Sequence, residues 1–80
     1  MERIEIIEKL TPVFRNTLNN QSLVLNDELT ANDVDSWDSL SHMLLITEIE
    51  DAFSIKFKLR ELNKMKNVGV LIDVIQTKLN

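Results

Sequence analysis

A chain of 80 residues makes one domain, spanning 1–80, and at this length only about 60% of the unfolded surface can be buried, so its core is small and a large catalytic cleft is not expected. With 44% hydrophobic residues, one Gly, one Pro and no Tyr, the composition predicts an all-α chain rather than a sheet. The absence of cysteine excludes disulfides and thiolate metal centres, and a single His cannot build a zinc site.

The net charge of −4 is unevenly spread. Residues 1–55 hold eleven acids against Arg3, Lys9 and Arg15, a balance of −8, whereas residues 56–80 hold six bases against Glu61 and Asp73, a balance of +4. An acidic body disfavours nucleic acid and suits basic protein partners. The bases Lys56, Lys58, Arg60, Lys64 and Lys66 read as a solvated face. Two acids in the first five residues and no long apolar run argue against a secretory signal or membrane insertion, so a cytoplasmic monomer is expected.

In chain order, Ile4, Ile7, Leu10, Phe14 and Leu18 recur at spacings of three and four, one apolar stripe on a first helix. Pro12 removes a backbone donor, so the helix either kinks there or restarts with Thr11 as its cap; the unbroken phase of the stripe favours one kinked helix. Residues 19–38 are rich in Asn, Asp and Ser and are punctuated by Leu23, Leu25, Leu29 and Val34, which predicts a long ordered loop anchored on a core. Trp37 is a further anchor. Asp33 and Asp35 lack the glycine and the terminal bidentate glutamate of a calcium loop, so no permanent metal is expected.

From residue 39 the pattern turns helical, with His42, Leu45, Ile46, Ile49 and Phe53 on one face and Asp38 placed to cap it. His42 reads as a packing residue, because no titratable partner for catalysis is evident. Leu59 and Leu62 suggest a short third helix. Asn67 caps a last helix over 68–79 with Leu71, Val74, Ile75 and Leu79 facing inward, and Gly69 falls in its first turn, where its penalty is smallest. The result is a small four-helix bundle, three main helices and one short, with a long loop between helices 1 and 2.

Ser39 stands where this loop meets the second helix. A serine in a first turn is close to backbone N–H groups that favour an attached anion, but the same position suits a plain helix cap, and spacing leaves both readings open. The run Asp38-Ser39-Leu40, opening a helix that ends Glu48-Ile49-Glu50-Asp51-Ala52-Phe53-Ser54-Ile55, resembles the acyl carrier protein family over nearly the whole chain. The resemblance implies a carrier rather than an enzyme, with 4′-phosphopantetheine on Ser39 holding an acyl group as a thioester. It also implies a role for Asp38 in positioning magnesium during loading, and a place for Leu40 in the motif. The partners it implies are a phosphopantetheinyl transferase and the acyl-activating and acyl-transferring enzymes.

In that family the helix after the serine meets basic partners, which makes Glu48, Glu50 and Asp51 candidate contacts. Met43 and Leu44 either touch the arm or a partner or pack against the long loop. Ser36-Trp37 replaces the small pair usual in fatty-acid carriers, Leu44 replaces a common glutamate, and the third helix is basic. These departures imply a specialised stand-alone carrier serving lipid, polysaccharide or secondary-metabolite synthesis. An aminoacyl, D-alanyl or peptidyl carrier and a helical interaction module without a prosthetic group are the alternatives.

Overall fold

The computed structural model describes residues 1–79, and among them four α-helices and no strand. They are α1 (Arg3–Thr17), α2 (Ser39–Phe53), α3 (Leu59–Lys64) and α4 (Val68–Leu79), with a single 3-10 turn at Ala31–Asp33 in the long loop. No helix among these residues is long and apolar enough to cross a membrane.

α1 starts where the Glu5 carboxylate accepts the backbone N–H of Glu2 at 2.9 Å, and it runs unbroken through Pro12. Its buried face is Ile6, Leu10, Phe14 and the following Leu18, not a stripe beginning at Ile4, which is 61% exposed. Ile4 and Ile6 are two residues apart, roughly 200° around the helix. Because α1 packs against both α2 and α4, its inner face is centred nearer Ile6, with Ile7 at the edge of the core.

The long loop is held from inside and from outside. Leu23, Leu29, Val34 and Trp37 are buried in the same hydrophobic cluster as the helices, and Leu25 is half-buried against it. Outside, Arg3 bridges Asp27 of the loop at 2.8 Å and Asp73 of α4. The loop also bonds directly to α4, Asp27 O accepting from Gly69 N at 2.9 Å and Leu29 O from Val68 N at 3.0 Å.

Gly69 therefore does more than avoid a helix penalty. A Cβ at this position would stand 3.0 Å from both the carbonyl oxygen and the Cβ of Asp27, so the loop approaches the helix more closely than a larger residue accommodates without a shift at Asp27. On α4 the inner face is Val68, Gly69, Leu71, Ile72 and Ile75. Val74 and Leu79, expected to be interior, are only half-buried, and Ile72 takes the interior place. Asn67 is the expected cap, its Oδ1 accepting from Val70 N at 2.9 Å. α3 buries no residue fully, and its Leu59 is 74% exposed, consistent with a short connector pinned through Glu61, which pairs with Lys78 of α4 at 2.8 Å.

Candidate functional site

The start of α2 is a reciprocal cap. Asp38 Oδ1 accepts from Ser41 N at 2.9 Å, Ser41 Oγ accepts from Asp38 N at 2.8 Å, and the Ser41 hydroxyl donates to Ser36 O at 2.7 Å. The bond from the Ser41 amide is the main reason the Asp38 carboxyl is held below its usual range. Capping is thus carried by Asp38 and Ser41. Ser39, the first residue of the helix, is exposed and lies outside that network.

Behind the serine, Trp37 is 8% exposed and meets the Phe14 ring edge-on, with centroids 5.3 Å apart and planes at 87°. Its indole is also nearly parallel to the His42 ring, at 24° with centroids 6.1 Å apart, and Trp37 Nε1 donates to His42 Nδ1 at 3.1 Å. His42 is half-buried, and that burial lowers its pKa. It is a packing residue as expected, with a specific partner in Trp37.

A surface cleft of about 430 Å³ opens beside these residues, lined by Asn32 of the loop, Trp37, Asp38, Ser39, His42 and the linker residues Met65 and Lys66. Asn32, Met65 and Lys66 carry no periodic or motif signal; they reach the serine only through the tertiary fold. Asp33 has a local task, its Oδ2 accepting from Thr30 N at 3.0 Å.

Along α2 the two faces separate cleanly. Leu45, Ile46, Ile49 and Phe53 are buried as expected. On the opposite face Leu40, Met43 and Leu44 are 76%, 60% and 56% exposed, so neither Met43 nor Leu44 is buried against the long loop. At 100° per residue these three share one outward stripe with Glu48 and Asp51, both exposed. Glu50 is half-buried and otherwise engaged, its Oε2 accepting from Phe57 N at 2.8 Å beyond the helix end. The cations of the α3 region, Lys56, Lys58, Arg60, Lys64 and Lys66, are exposed, as a solvated face requires.

The fold and site define a small helical bundle that holds one uncommitted serine out to solvent, beside a polar cleft and at the head of an apolar and acidic stripe. Comparison with family models and with curated proteins gives no match. Among solved structures, the chain is similar to the solution NMR structure of a holo acyl carrier protein from Geobacter metallireducens, at 52% identity and a TM-score of 0.87, covering 91% of this chain and 84% of that one. The chain belongs to the acyl carrier protein family.

Proposed function

We propose that this protein carries an acyl group as a thioester on a 4′-phosphopantetheine arm attached to Ser39, and presents it to partner enzymes without catalysing a reaction of its own. The observation that carries this reading is the exposed Ser39 at the first position of α2, free of a cap built by Asp38 and Ser41. A hydroxyl outside the cap can be esterified without dismantling the helix start. A phosphodiester there is favoured by the unpaired N–H groups and the positive end of the helix dipole.

In the loading step a bond forms between Ser39 Oγ and the pantetheine-side phosphorus of coenzyme A. The pyrophosphate linkage breaks, adenosine 3′,5′-bisphosphate leaves, and the hydroxyl proton passes to a base of the phosphopantetheinyl transferase. Asp38, whose carboxyl the cap keeps in its charged form, is the residue that would hold the magnesium ion of that step. When bound, the group supplies the thiol that this cysteine-free chain lacks.

The outward stripe of Leu40, Met43, Leu44, Glu48 and Asp51 serves as the docking face. Its apolar members supply contact area, and its acids steer basic partners. Glu50 supports that face indirectly by fixing the turn after the helix. Trp37, Leu44 and the basic α3 favour a specialised stand-alone carrier in lipid, polysaccharide or secondary-metabolite synthesis, working as a cytoplasmic monomer of one domain. Acyl-activating and acyl-transferring enzymes are then its partners.

The test is incubation with coenzyme A, magnesium and a broad-specificity phosphopantetheinyl transferase, followed by intact mass measurement. The wild type gains one phosphopantetheine mass and Ser39→Ala gains none. Equal gain in the variant, or none in the wild type, overturns the proposal. Thioester profiling of the carrier from its own cells then distinguishes an acyl from an aminoacyl or D-alanyl cargo.

A further inference from the structure

The segment from Lys56 to Lys66 carries five bases and one acid, in a chain whose first 55 residues carry a balance of −8. The fold turns these charges to opposite sides. At 100° per residue, Leu59, Arg60, Asn63 and Lys64 share one side of α3, and all four are exposed. Glu61 and Leu62 take the other side and are half-buried. Before the helix, Phe57 packs against the core while Lys56 and Lys58 on either side of it are exposed. After the helix, Met65 packs against the core beside exposed Lys66.

None of these bases is neutralised within the molecule by an ion pair. Among the described residues the ion pairs join Arg3 to Asp27 and Asp73, and Lys78 to Glu61, and leave out all five. Glu61, the one acid of the segment, is doubly engaged, since it also accepts from Lys58 N at 2.7 Å. Asp73, which shares a groove with Arg60 and Lys64, is held by Arg3. Asp51 meets the patch at its Lys56 edge. Within the patch Leu59 projects into solvent, flanked in sequence by Lys58 and Arg60. An acidic protein surface would answer the cations alone. An anionic bilayer, charged at its headgroups and apolar just beneath, answers both the cations and the leucine.

We propose that this face of α3 docks peripherally on an anionic phospholipid surface, with Lys58, Arg60, Lys64 and Lys66 against the headgroups and Leu59 entering the interface. The acids of the body do not cancel the attraction. The molecule is at least 22 Å across in every direction, against a screening length of about 10 Å at 0.1 M salt, so acids on the side away from the membrane barely oppose binding. Met65 and Lys66 also line the cleft at Ser39, so the docked face adjoins the serine. A carrier bound in this way holds its thioester at the bilayer surface, within reach of membrane-bound acyl acceptors. That consequence rests on the reading of Ser39 as the attachment point; the docking itself does not.

The experiment is cosedimentation of the full chain with sucrose-loaded vesicles of phosphatidylcholine, alone or mixed in equal parts with phosphatidylglycerol, at about 0.1 M salt. Retention is expected on the mixed vesicles and not on phosphatidylcholine, and it should be lost near 1 M salt, where the screening length falls to about 3 Å. Each base at the surface is worth about fivefold in affinity, so Arg60→Gln with Lys64→Gln should weaken binding about 25-fold. Leu59→Asn should weaken it about tenfold, as partial burial of a leucine implies. All three positions are exposed, and far-ultraviolet circular dichroism confirms that the variants fold. A spin-labelled lipid should broaden the backbone amide signals of residues 58–66 more than those of α1. No retention on the mixed vesicles overturns the proposal, and so does retention that neither variant weakens. Binding to soluble polyglutamate without retention on vesicles assigns the face to an acidic protein and overturns the membrane reading. Ser39→Ala should be retained as fully as wild type, so a failure of docking and a failure of Ser39 to load are read separately.

Discussion

Trp37 Nε1 and His42 Nδ1, 3.1 Å apart, tie the last turn of the long loop to the first turns of α2. The bond exists only while the imidazole is neutral, because a protonated ring has no acceptor. Burial lowers the His42 pKa in the folded chain below its unfolded value near 6.5. Between those two values the unfolded chain binds more protons, so stability rises with pH across that window. The contribution is complete above about pH 6.5 and is lost as pH falls through the depressed folded-state value. Urea unfolding between pH 7.5 and 5.5 should therefore show a falling midpoint in wild type. His42→Gln, which keeps an acceptor for Trp37 but does not titrate, should flatten the profile. An equally steep fall in the variant would contradict this account.

Separation of cap from serine gives a second prediction. Asp38→Ala removes the acceptor for Ser41 N and should cost about 1 kcal/mol, the usual scale for a lost N-cap. Ser41→Ala loses both the acceptor for Asp38 N and the donor to Ser36 O, and should cost a similar amount. Ser39→Ala touches none of these bonds and should change stability by no more than about 0.5 kcal/mol. Chemical denaturation of the three variants side by side checks the ranking. A loss in Ser39→Ala as large as that in Asp38→Ala would return the serine to a capping role.

The features legible in the sequence are those with a local cause. α2 could be bounded because Asp38 is a cap-forming residue placed before a helical stripe, and α4 because Asn67 is another. The loop anchors Leu23, Leu29 and Val34 could be picked out as apolar residues in a polar run, and all three are buried. What periodicity could not supply is the direction each helix faces once packed between two neighbours. Ile4 and Ile6, or Val74 and Ile72, fit helical stripes that differ by a modest rotation, and the placement of the other helices decides between them. The cleft was still less legible, since Asn32 and Lys66 are 34 residues apart and meet at Ser39 only through the fold. Glu50 illustrates the opposite error of counting charge alone: its carboxylate is committed to Phe57 N.

Gly69 should resist substitution although it is helical. Replacing it with Ala improves helix propensity by about 1 kcal/mol. Against that gain, the new methyl meets the Cβ and carbonyl oxygen of Asp27 at 3.0 Å and its Cα at 3.3 Å, and the bond from Gly69 N to Asp27 O must lengthen to make room. Overpacking of this kind costs roughly 1–3 kcal/mol, and Asp27 is further restrained by Arg3. A net loss of about 1 kcal/mol is expected, or a fall of about 4–8 °C in Tm for a chain this size. Calorimetry of Gly69→Ala decides the matter, and a raised Tm would mean that the loop yields freely at Asp27.

Ser54 offers the converse case, a residue whose replacement by glycine should stabilise the protein. It ends α2 in the left-handed region, at φ 55° and ψ 46°, where its own N–H and that of Ile55 both turn back to Glu50 O, the latter at 3.1 Å. This is the geometry in which helices usually employ glycine, and a side chain there costs about 1–2 kcal/mol. Glycine removes that strain but gives the unfolded chain more freedom, a loss of about 0.5–1 kcal/mol. The difference favours Ser54→Gly by about 0.5 kcal/mol, or about 2–4 °C in Tm. A β-branched residue cannot relieve the strain and adds crowding at Cβ, so Ser54→Val should lower Tm. Ser54 lies at the far end of α2 from Ser39, so both variants should load coenzyme A-derived mass as fully as wild type. A lower Tm for Ser54→Gly than for wild type would show that the serine side chain contributes more to this turn than its backbone strain removes.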